Sequence, residues 1–339
     1  MLLINVVPLL TFCALLVSLN KPKCMRLSLL TLFSVISLYY SAQPLNNWND
    51  QKIVVTKESN VSTIMHAEDL FKDRWDVLAQ PQFWKQIMLL SPDSCIVNIG
   101  NTRQVLFKLS NKEWQAQTEI QKAAFKDSLK LSLNLPVETT INVTVGKSDF
   151  YKFKEVYPSL SKGVEEFEKN GVDPWYAQAI LLIESPGQLK KSSVGAYGAF
   201  QLMPDVARWL GLTVNDKVDE RKNFERSAFA ASKLISRICI PESKKILTRY
   251  NIAYNENDLW FRLFVLHVYH AGSVNVAAVV NKIQPTQGSQ QLILDMWQNK
   301  AAKFGNGSQN YTQLALAAQL ILHEMVYEQC DEISSVAAR

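Results

Sequence analysis

A single carboxylate closes an apolar run in the middle of the chain. Glu184 ends the stretch "ILLIE", and Pro186 follows two residues later and prevents the helix from continuing. Ile180 lies one helical turn before Glu184, so the acid shares a face with large apolar side chains. Loss of hydration raises the pKa of a carboxyl group, and the negative end of the helix dipole acts in the same direction. A Glu with a raised pKa can act as a general acid. The alternative is a helix-end Glu that points into water.

A loop with several glycines follows this acid and ends at Pro204. It reads "GAYGAFQLMP", and Gly195 and Gly198 allow the backbone to approach a ligand closely. The alternative for these glycines is an ordinary flexible turn. Tyr197, inside the loop, is the aromatic residue best placed to stack on a ligand ring.

Two histidines further along the chain have the spacing of a metal pair. His267 and His270 are three residues apart, and a helix would place them on neighbouring positions of one face. A zinc site needs a third ligand, and the sequence shows none nearby. We therefore expect no metal ion and no cofactor.

The elements that position these residues are predominantly helical from Ser159 onward. Residues that start or stop helices recur through this part. They are Asp173 and Pro174, Pro204 and Gly211, Asp258 and Gly272, Ser273, and Asn310 as the N-cap of a last helix. The sequence lacks a glycine-rich phosphate loop. The predicted fold class is mainly α.

Residues 65–150 combine helical and strand periodicity. "AEDLFKDRWDVLAQPQFWKQIMLL" and "NKEWQAQTEIQKAAFKDSLKLSLNL" have helical spacing, whereas "ETTINVTVGK" alternates as a strand does. "CIVNI" and "QVLFKLS" are its predicted partner strands. This predicts a small α+β region that carries no chemical motif.

The first 64 residues are predicted to lie outside the folded part. Residues 1–42 are interpreted as a leader. Its second part, from Met25, is interpreted as a signal peptide with a cleavage site after Ala42. The residues before Met25 are either an upstream start or a first membrane pass. An uncleaved leader would associate the chain with a membrane. The polar stretch 43–64 is predicted to be a linker, and residues 151–335 form the main helical domain.

Composition limits the partners and the redox chemistry. The chain has 339 residues, 47% of them hydrophobic, and a formal charge of +5. Its Lys and Arg residues are scattered among acidic residues and form no basic stripe, which argues against nucleic-acid binding. Cys95, Cys239 and Cys330 follow the leader, an odd number with no short spacing. One disulfide or buried free thiols are both compatible with this pattern.

Taken together, these motifs resemble the catalytic domain of the soluble lytic transglycosylases, which have the goose-type lysozyme fold. The resemblance covers residues 155–330 and rests on Glu184 with Ser185, on "GAYGAFQLMP", on "YHAG" from Tyr269, and on "QNYTQL" from Gln309. "VDERKNFERSAFAASKLI" is similar to the corresponding helix region of the membrane-bound murein transglycosylase D group. The resemblance implies a lysozyme-like helical domain.

The resemblance also implies a role for each matching residue. Glu184 corresponds to the catalytic acid and Ser185 to the small polar residue after it. The remaining matches are substrate-contacting or orienting residues: Gln201 and Met203 in the cleft, Tyr269 beside the acid, and Tyr311, which orients the acid. Three positions depart from the family pattern: Pro186 and Gly187 replace the usual small and aromatic residues, and His270 replaces an Asn. These departures affect the expected shape of the subsites.

The implied reaction cleaves peptidoglycan between N-acetylmuramic acid and N-acetylglucosamine, with closure of a 1,6-anhydro ring and without water. Glu184 would act first as acid and then as base. Ordinary glycosidases use two carboxylates, so a muramidase-type hydrolase is the first alternative, with Asp205, Asp216, Asp219 or Glu220 as the second acid. A non-catalytic peptidoglycan-binding or assembly module is the second. Secretion across an inner membrane to the periplasm or envelope is the expected localisation.

Overall fold

Helices make up most of the described chain, as the sequence predicts. The computed structural model describes residues 48–57, 60–184 and 191–337. The strands are β1 (Lys52–Lys57), β2 (Asn60–Met65), β3 (Ser94–Ile99), β4 (Val105–Ser110) and β5 (Ile141–Val145). The helices before the predicted acid are α1 (Glu68–Lys72), α2 (Ala79–Leu89), α3 (Asn111–Ala116), α4 (Glu119–Ser132), α5 (Phe153–Lys169) and α6 (Trp175–Glu184).

Seven further α-helices are described after Glu184. They are α7 (Pro204–Trp209), α8 (Phe224–Leu234), α9 (Ile240–Thr248), α10 (Leu259–Ala271), α11 (Ser273–Ile283), α12 (Gln290–Gln298) and α13 (Asn306–Ala337). A π-helical segment, Ile235–Cys239, joins α8 to α9. The fold is therefore mainly α with small sheets near the N-terminus.

Most helix ends follow the predicted capping signals, but the start of α13 does not. The Trp175 amide donates to Asp173 Oδ1 at 2.9 Å, and Gly272 ends α10 with a φ of 79°. The prediction of Asn310 as N-cap was wrong, because α13 begins at Asn306. Buried Gln309 donates from Nε2 to the carbonyls of Trp297 and Asn299, at 2.9 and 3.1 Å. Such tertiary contacts overcome the low helix propensity of Asn, Gly and Ser in this segment.

The predicted strands of the α+β region form one antiparallel sheet. Its order is β4, β3, β5, so that the apolar β3 lies in the middle. Cys95, Ile96 and Val97 of β3 are fully buried. The alternation that predicts a strand in "INVTV" and the partner strands "CIVNI" and "QVLFKLS" are confirmed in this sheet.

The segment predicted to be a linker, 43–64, contains a β-hairpin instead. β1 and β2 pair in antiparallel register from Lys52 opposite Met65 to Lys57 opposite Asn60. Ile64 and Met65 are 2% exposed. The polar residues around this hairpin suggested a linker, but the buried end of β2 fixes the segment on the helical domain.

Gln178 of α6 explains why the hairpin is held in place. Its side-chain amide accepts a hydrogen bond from the Met65 amide at 2.8 Å and donates to the Met65 carbonyl at 3.0 Å. The Thr63 amide donates to Ser161 Oγ of α5 at 2.6 Å. Buried backbone groups need such partners, so the two helices complete the hydrogen bonding of the strand.

One hydrophobic core extends from the hairpin to α13. The described residues form one compact unit. Its core contains side chains from both sides of residue 150, where the sequence places a domain boundary; that boundary stays a prediction. All residues of α6 from Trp175 to Ile183 are buried. Gly163 of α5 allows this close packing, since a Cβ there would lie 2.5 Å from Leu181 Cδ1.

A buried arginine also joins the N-terminal region to the helical domain. Arg262 of α10 donates to Asp173 Oδ2 at 2.8 Å, to Asp69 Oδ2 at 3.0 Å and to Gln51 Oε1 at 2.9 Å. Asp173 is also the residue that accepts from the first amide of α6. The start of the helix that carries Glu184 therefore depends on this cluster.

Two further sequence predictions concern the leader and the cysteines. The leader, residues 1–42, lies outside the described residues, and no helix among those that the structure does describe has the length and apolarity to cross a bilayer. Cys95 and Cys239 are buried free thiols. Cys95 Sγ donates to Asn111 Oδ1 at 3.3 Å.

Candidate active site

Glu184 is the last residue of a helix that is otherwise buried. It retains partial exposure to solvent, whereas the nine residues before it have almost none. Loss of hydration raises the pKa of its carboxyl group to about 7, and the nearby Tyr311 hydroxyl opposes this rise. The predicted apolar surroundings are thus confirmed as the cause of a raised pKa. A carboxyl group with this pKa can both donate and accept a proton near neutrality.

Three tyrosines from different parts of the chain lie around this carboxyl. Burial raises the pKa of Tyr151, Tyr269 and Tyr311, and the charge of Glu184 raises each of them further. The Tyr311 hydroxyl is close enough to lower the pKa of Glu184, although the contact lacks the geometry of a full hydrogen bond. The phenols therefore stay protonated, and of the three the Tyr311 hydroxyl can donate toward the carboxylate.

Tyr151 was not among the predicted site residues. It lies just before α5, is 7% exposed and packs against Phe150 and Phe153. No spacing rule connects it with Glu184, because the two residues meet only when α5 packs on α6. A tyrosine immediately before a strongly amphipathic helix was the only signal in the sequence.

Tyr269 fixes the loop that carries Gln201. Its hydroxyl donates to the Phe200 carbonyl at 2.6 Å. Gln201 adopts a φ of 46°, and both its amide and its Nε2 donate to the Gly198 carbonyl, at 3.1 and 3.0 Å. The residue is half-buried. The structure therefore brings Gln201 and Tyr269 together, because Tyr269 binds the backbone of Phe200, the residue before Gln201.

The glycine loop is a tight turn and not a flexible one. The amides and carbonyls of Tyr197 and Leu202 exchange two hydrogen bonds of 3.1 Å. Gly198 has a φ of 85°, and a Cβ on it would lie 2.1 Å from the Arg221 carbonyl oxygen. Gly198 is thus required for close packing against the Arg221 backbone, whereas the sequence suggested that it allows close approach to a ligand. Gly195 has a φ of 92° with open space around it.

Arg221 holds the loop from behind. Its Nη1 donates to the carbonyls of Gly195 and Leu202, both at 2.9 Å, and Asp219 accepts from Nε and Nη2 at 2.9 and 2.7 Å. The Arg221 side chain is buried, and its guanidinium lies 5.7 Å from the Tyr197 ring centroid. Arg221 was not among the predicted site residues, because the charged run "DERK" that contains it indicates a solvated turn.

The other predicted substrate residues differ in position and exposure. Tyr197 is half-buried with Arg221 and Lys222 beside its ring, and Met203 is 40% exposed at the start of α7. Ser185 lies outside the described residues. The predicted contacts of Tyr197, Met203 and Ser185 with substrate stay predictions.

The two histidines have separate environments. The His270 ring is exposed on one side and stacks on Tyr311 with a centroid distance of 4.3 Å. His267 is fully buried, and its Nε2 is 2.9 Å from Thr312 Oγ1, which accepts from Trp297 Nε1 at 2.8 Å. Burial lowers the pKa of His267 to about 3, so it is neutral.

The acids considered as a second catalytic carboxylate are engaged elsewhere or exposed. Asp219 binds Arg221, and Glu220 accepts from the Thr213 amide and from Arg226. These contacts lower the pKa of both groups. Asp205 pairs with Arg208 on the surface, and Asp216 is exposed. Each of these arrangements is explained by local structure and needs no catalytic role.

The fold and the site define a helical domain with one proton-exchanging acid at the end of a buried helix. Comparison with protein families agrees with this description: the family model "Transglycosylase SLT domain" matches residues 164–284. The match is consistent with an SLT-type lytic transglycosylase domain of the lysozyme-like superfamily in this part of the chain. Glu184, Gln201 and Tyr269 fall within the match and Tyr311 beyond it. No curated protein matches the chain. The domain supports a lytic transglycosylase type of function in general, with peptidoglycan as substrate.

Proposed function

We propose that this protein is a peptidoglycan lytic transglycosylase. It cleaves the β-1,4 bond between N-acetylmuramic acid and N-acetylglucosamine and leaves a 1,6-anhydro-muramoyl end. The observation that carries the proposal is the pKa of Glu184, raised to about 7 by burial next to Tyr269 and Tyr311. A single acid that titrates near neutrality can serve both halves of such a reaction.

In the first half, protonated Glu184 donates its proton to the glycosidic oxygen while the bond to C1 breaks. The N-acetyl oxygen of the muramoyl residue stabilises the positive charge at C1. The Tyr269 hydroxyl donates its hydrogen to the Phe200 carbonyl. Its oxygen therefore offers lone pairs, which suit a neighbouring positive charge.

In the second half, the Glu184 carboxylate removes the proton from the muramoyl C6 hydroxyl, and that oxygen bonds to C1. Glu184 ends the cycle protonated, and no water is consumed. Tyr311 keeps the carboxyl oriented in both steps, supported by the His270 ring stacked on it. The half-buried Gln201 and the exposed Met203 contact the glycan strand.

The test is digestion of purified sacculi followed by mass spectrometry of the fragments. Anhydro ends, one water lighter than reducing ends, support the proposal. Reducing ends identify a muramidase-type hydrolase, and intact sacculi that retain the protein identify a binding or assembly module. Tyr269→Phe and Tyr311→Phe serve as graded variants, since each removes one hydroxyl while it keeps the ring.

The proposed place of action follows from the substrate. We propose that the leader directs the chain across the inner membrane, and that the enzyme works in the periplasm or attached to the envelope. N-terminal sequencing of the mature protein checks this. A mature chain that starts after Ala42 agrees with the proposed cleavage, and retention of residues 1–42 in a membrane fraction agrees with anchoring.

A further inference from the structure

A cleft of about 700 Å³ lies outside the family-matched segment. Its walls come from the β3–β4 turn, from β5, from the end of α12 and from the first turns of α13. Most of the lining groups are amides and hydroxyls, such as those of Asn101, Thr140, Asn142 and Gln313. A volume of this size is in the range of binding sites for small ligands.

Arg103 gives the cleft a cation that lacks a counterion. Its guanidinium donates one hydrogen bond, from Nη2 to Asn310 Oδ1 at 2.8 Å. Within the described ranges no carboxylate lies at ion-pair distance from it. Glu138 and Lys300, which also line the cleft, are both exposed and have opposite charges. The remaining guanidinium N–H groups are available to an anionic ligand.

The Arg103 side chain is held in place for such a ligand. Its guanidinium lies 5.1 and 5.4 Å from the ring centroids of Phe83 and Trp84. Its backbone has a φ of 61°, a left-handed conformation that is costly for a residue with a side chain. The fork-shaped donor is therefore ordered before binding, which suits recognition of a carboxylate.

The cleft and the candidate active site share helix α13. Asn310, which binds Arg103, is the residue before Tyr311, which faces Glu184. Two sides of the same turn of α13 thus line the cleft and the candidate active site.

We propose that this cleft binds the carboxylate-bearing peptide stem of peptidoglycan, with Arg103 holding a stem carboxylate and the amide walls holding the peptide backbone. The proposal rests on the proposed function, because it assumes that the strand in the active site is peptidoglycan. It adds a substrate determinant from the N-terminal region, to which the sequence assigned no role.

The first test measures binding of the free tetrapeptide stem to the full chain by calorimetry. Arg103→Gln is expected to weaken binding about tenfold or more, since it removes a charge-assisted pair. Asn142→Asp, nearly isosteric and with an added negative charge in the wall, is expected to weaken it too. Lys108→Gln, which removes an exposed cation from the neighbouring strand, is the control and should bind as the wild type does.

Two ligand controls identify what is recognised. A stem with amidated carboxyl groups should bind far more weakly than the free acid. Inorganic phosphate separates a peptide site from a general anion site. Equal affinity for phosphate and stem, or unchanged stem affinity in both Arg103→Gln and Asn142→Asp, would overturn the proposal.

The second test compares glycan strands that carry stems with strands from which an amidase has removed them. Arg103→Gln should raise KM for the stemmed strands and leave cleavage of the bare strands unchanged. If no strand is cleaved by any variant but the free stem binds in an Arg103-dependent manner, the proposed activity fails and the stem site stands. Equal loss on both kinds of strand indicates a structural effect and counts against the site.

Discussion

The burial of Glu184 has opposite effects on reactivity and stability. A carboxyl that loses water keeps its proton to about pH 7, which favours proton donation to a leaving group. In the unfolded chain the same group ionises near its ordinary pKa, which makes the folded state relatively less stable once the pH rises. Both consequences can be measured on one substitution, Glu184→Gln, which keeps the size of the side chain.

The first prediction concerns the pH dependence of activity. Because Glu184 must begin the reaction protonated, kcat/KM is expected to be present below the pKa of about 7 and to fall as the pH rises through it. Glu184→Gln is expected to lose at least about a thousandfold in activity, since an amide cannot donate the proton. Release of anhydro fragments against pH measures both effects. A rate that stays level to pH 9 would contradict the role of Glu184 as acid.

The second prediction concerns stability. The folded-state pKa of Glu184 lies above the unfolded value of 4.5, so the unfolded state loses its proton first as the pH rises. Glu184→Gln should therefore gain stability over the wild type between about pH 4.5 and 7, by about 1 to 3 kcal/mol, and keep that gain at higher pH. Urea unfolding at several pH values measures the difference. A difference independent of pH would argue against a raised pKa.

At the scale of elements, helix α6 is positioned by contacts at its start and in its middle. Asp173 accepts from the first amide of the helix and from Arg262, and Gln178 in its middle binds the backbone of β2. Arg262 has only 2% of its side chain exposed and faces two acids and an amide. Removing one member of such a cluster leaves a buried charge without a partner.

The third prediction follows from that cluster. Arg262→Met is expected to lower the free energy of unfolding by about 3 to 5 kcal/mol, because Asp173 would remain buried without its cation. Lys244→Met, which breaks the exposed ion pair with Glu256, is the control and should cost less than about 1 kcal/mol. Denaturant unfolding of both variants gives the comparison. Equal, small effects would show that the buried cluster contributes little.

At the scale of the whole molecule, the N-terminal region and the main helical domain share one core. Trp48, Ile64 and Met65 are buried in the same cluster as the residues of α6. The hairpin that contains the last two also satisfies the Gln178 amide. The segment before residue 66 is therefore part of the scaffold of the site.

The fourth prediction tests this arrangement by truncation. A chain that starts at residue 66 is expected to lose more than about 4 kcal/mol of stability relative to one that starts at residue 43. It loses three buried apolar side chains, Trp48, Ile64 and Met65, and leaves the buried Gln178 amide without its Met65 partner. Removal of residues 1–42 alone, the matched control, should leave the transition of the folded unit unchanged. Identical unfolding of the two chains would contradict a structural role for the hairpin.

The sequence was sufficient for local features and insufficient for contacts between distant segments. The apolar run before Glu184 and the stop at Pro186 predicted the end of α6, and alternation predicted β5. The hairpin was missed because its polar composition outweighed the short alternation in "KIVVT", and its stabilising partner Gln178 lies 113 residues away. Tyr151 and Arg221 were missed for the same reason, since their roles arise from packing and not from spacing.

Gly198 and Arg221 make the glycine loop structurally dependent on a segment that follows it. The loop keeps its shape because Arg221 binds the carbonyls of Gly195 and Leu202 and its own carbonyl oxygen fills the space beside Gly198. Asp219 in turn fixes Arg221. Anyone who grafts this loop onto another scaffold to exchange specificity must therefore transfer residues 191–203 and 219–221 as one cassette. Transfer of the first segment alone would deliver the residues without their conformation.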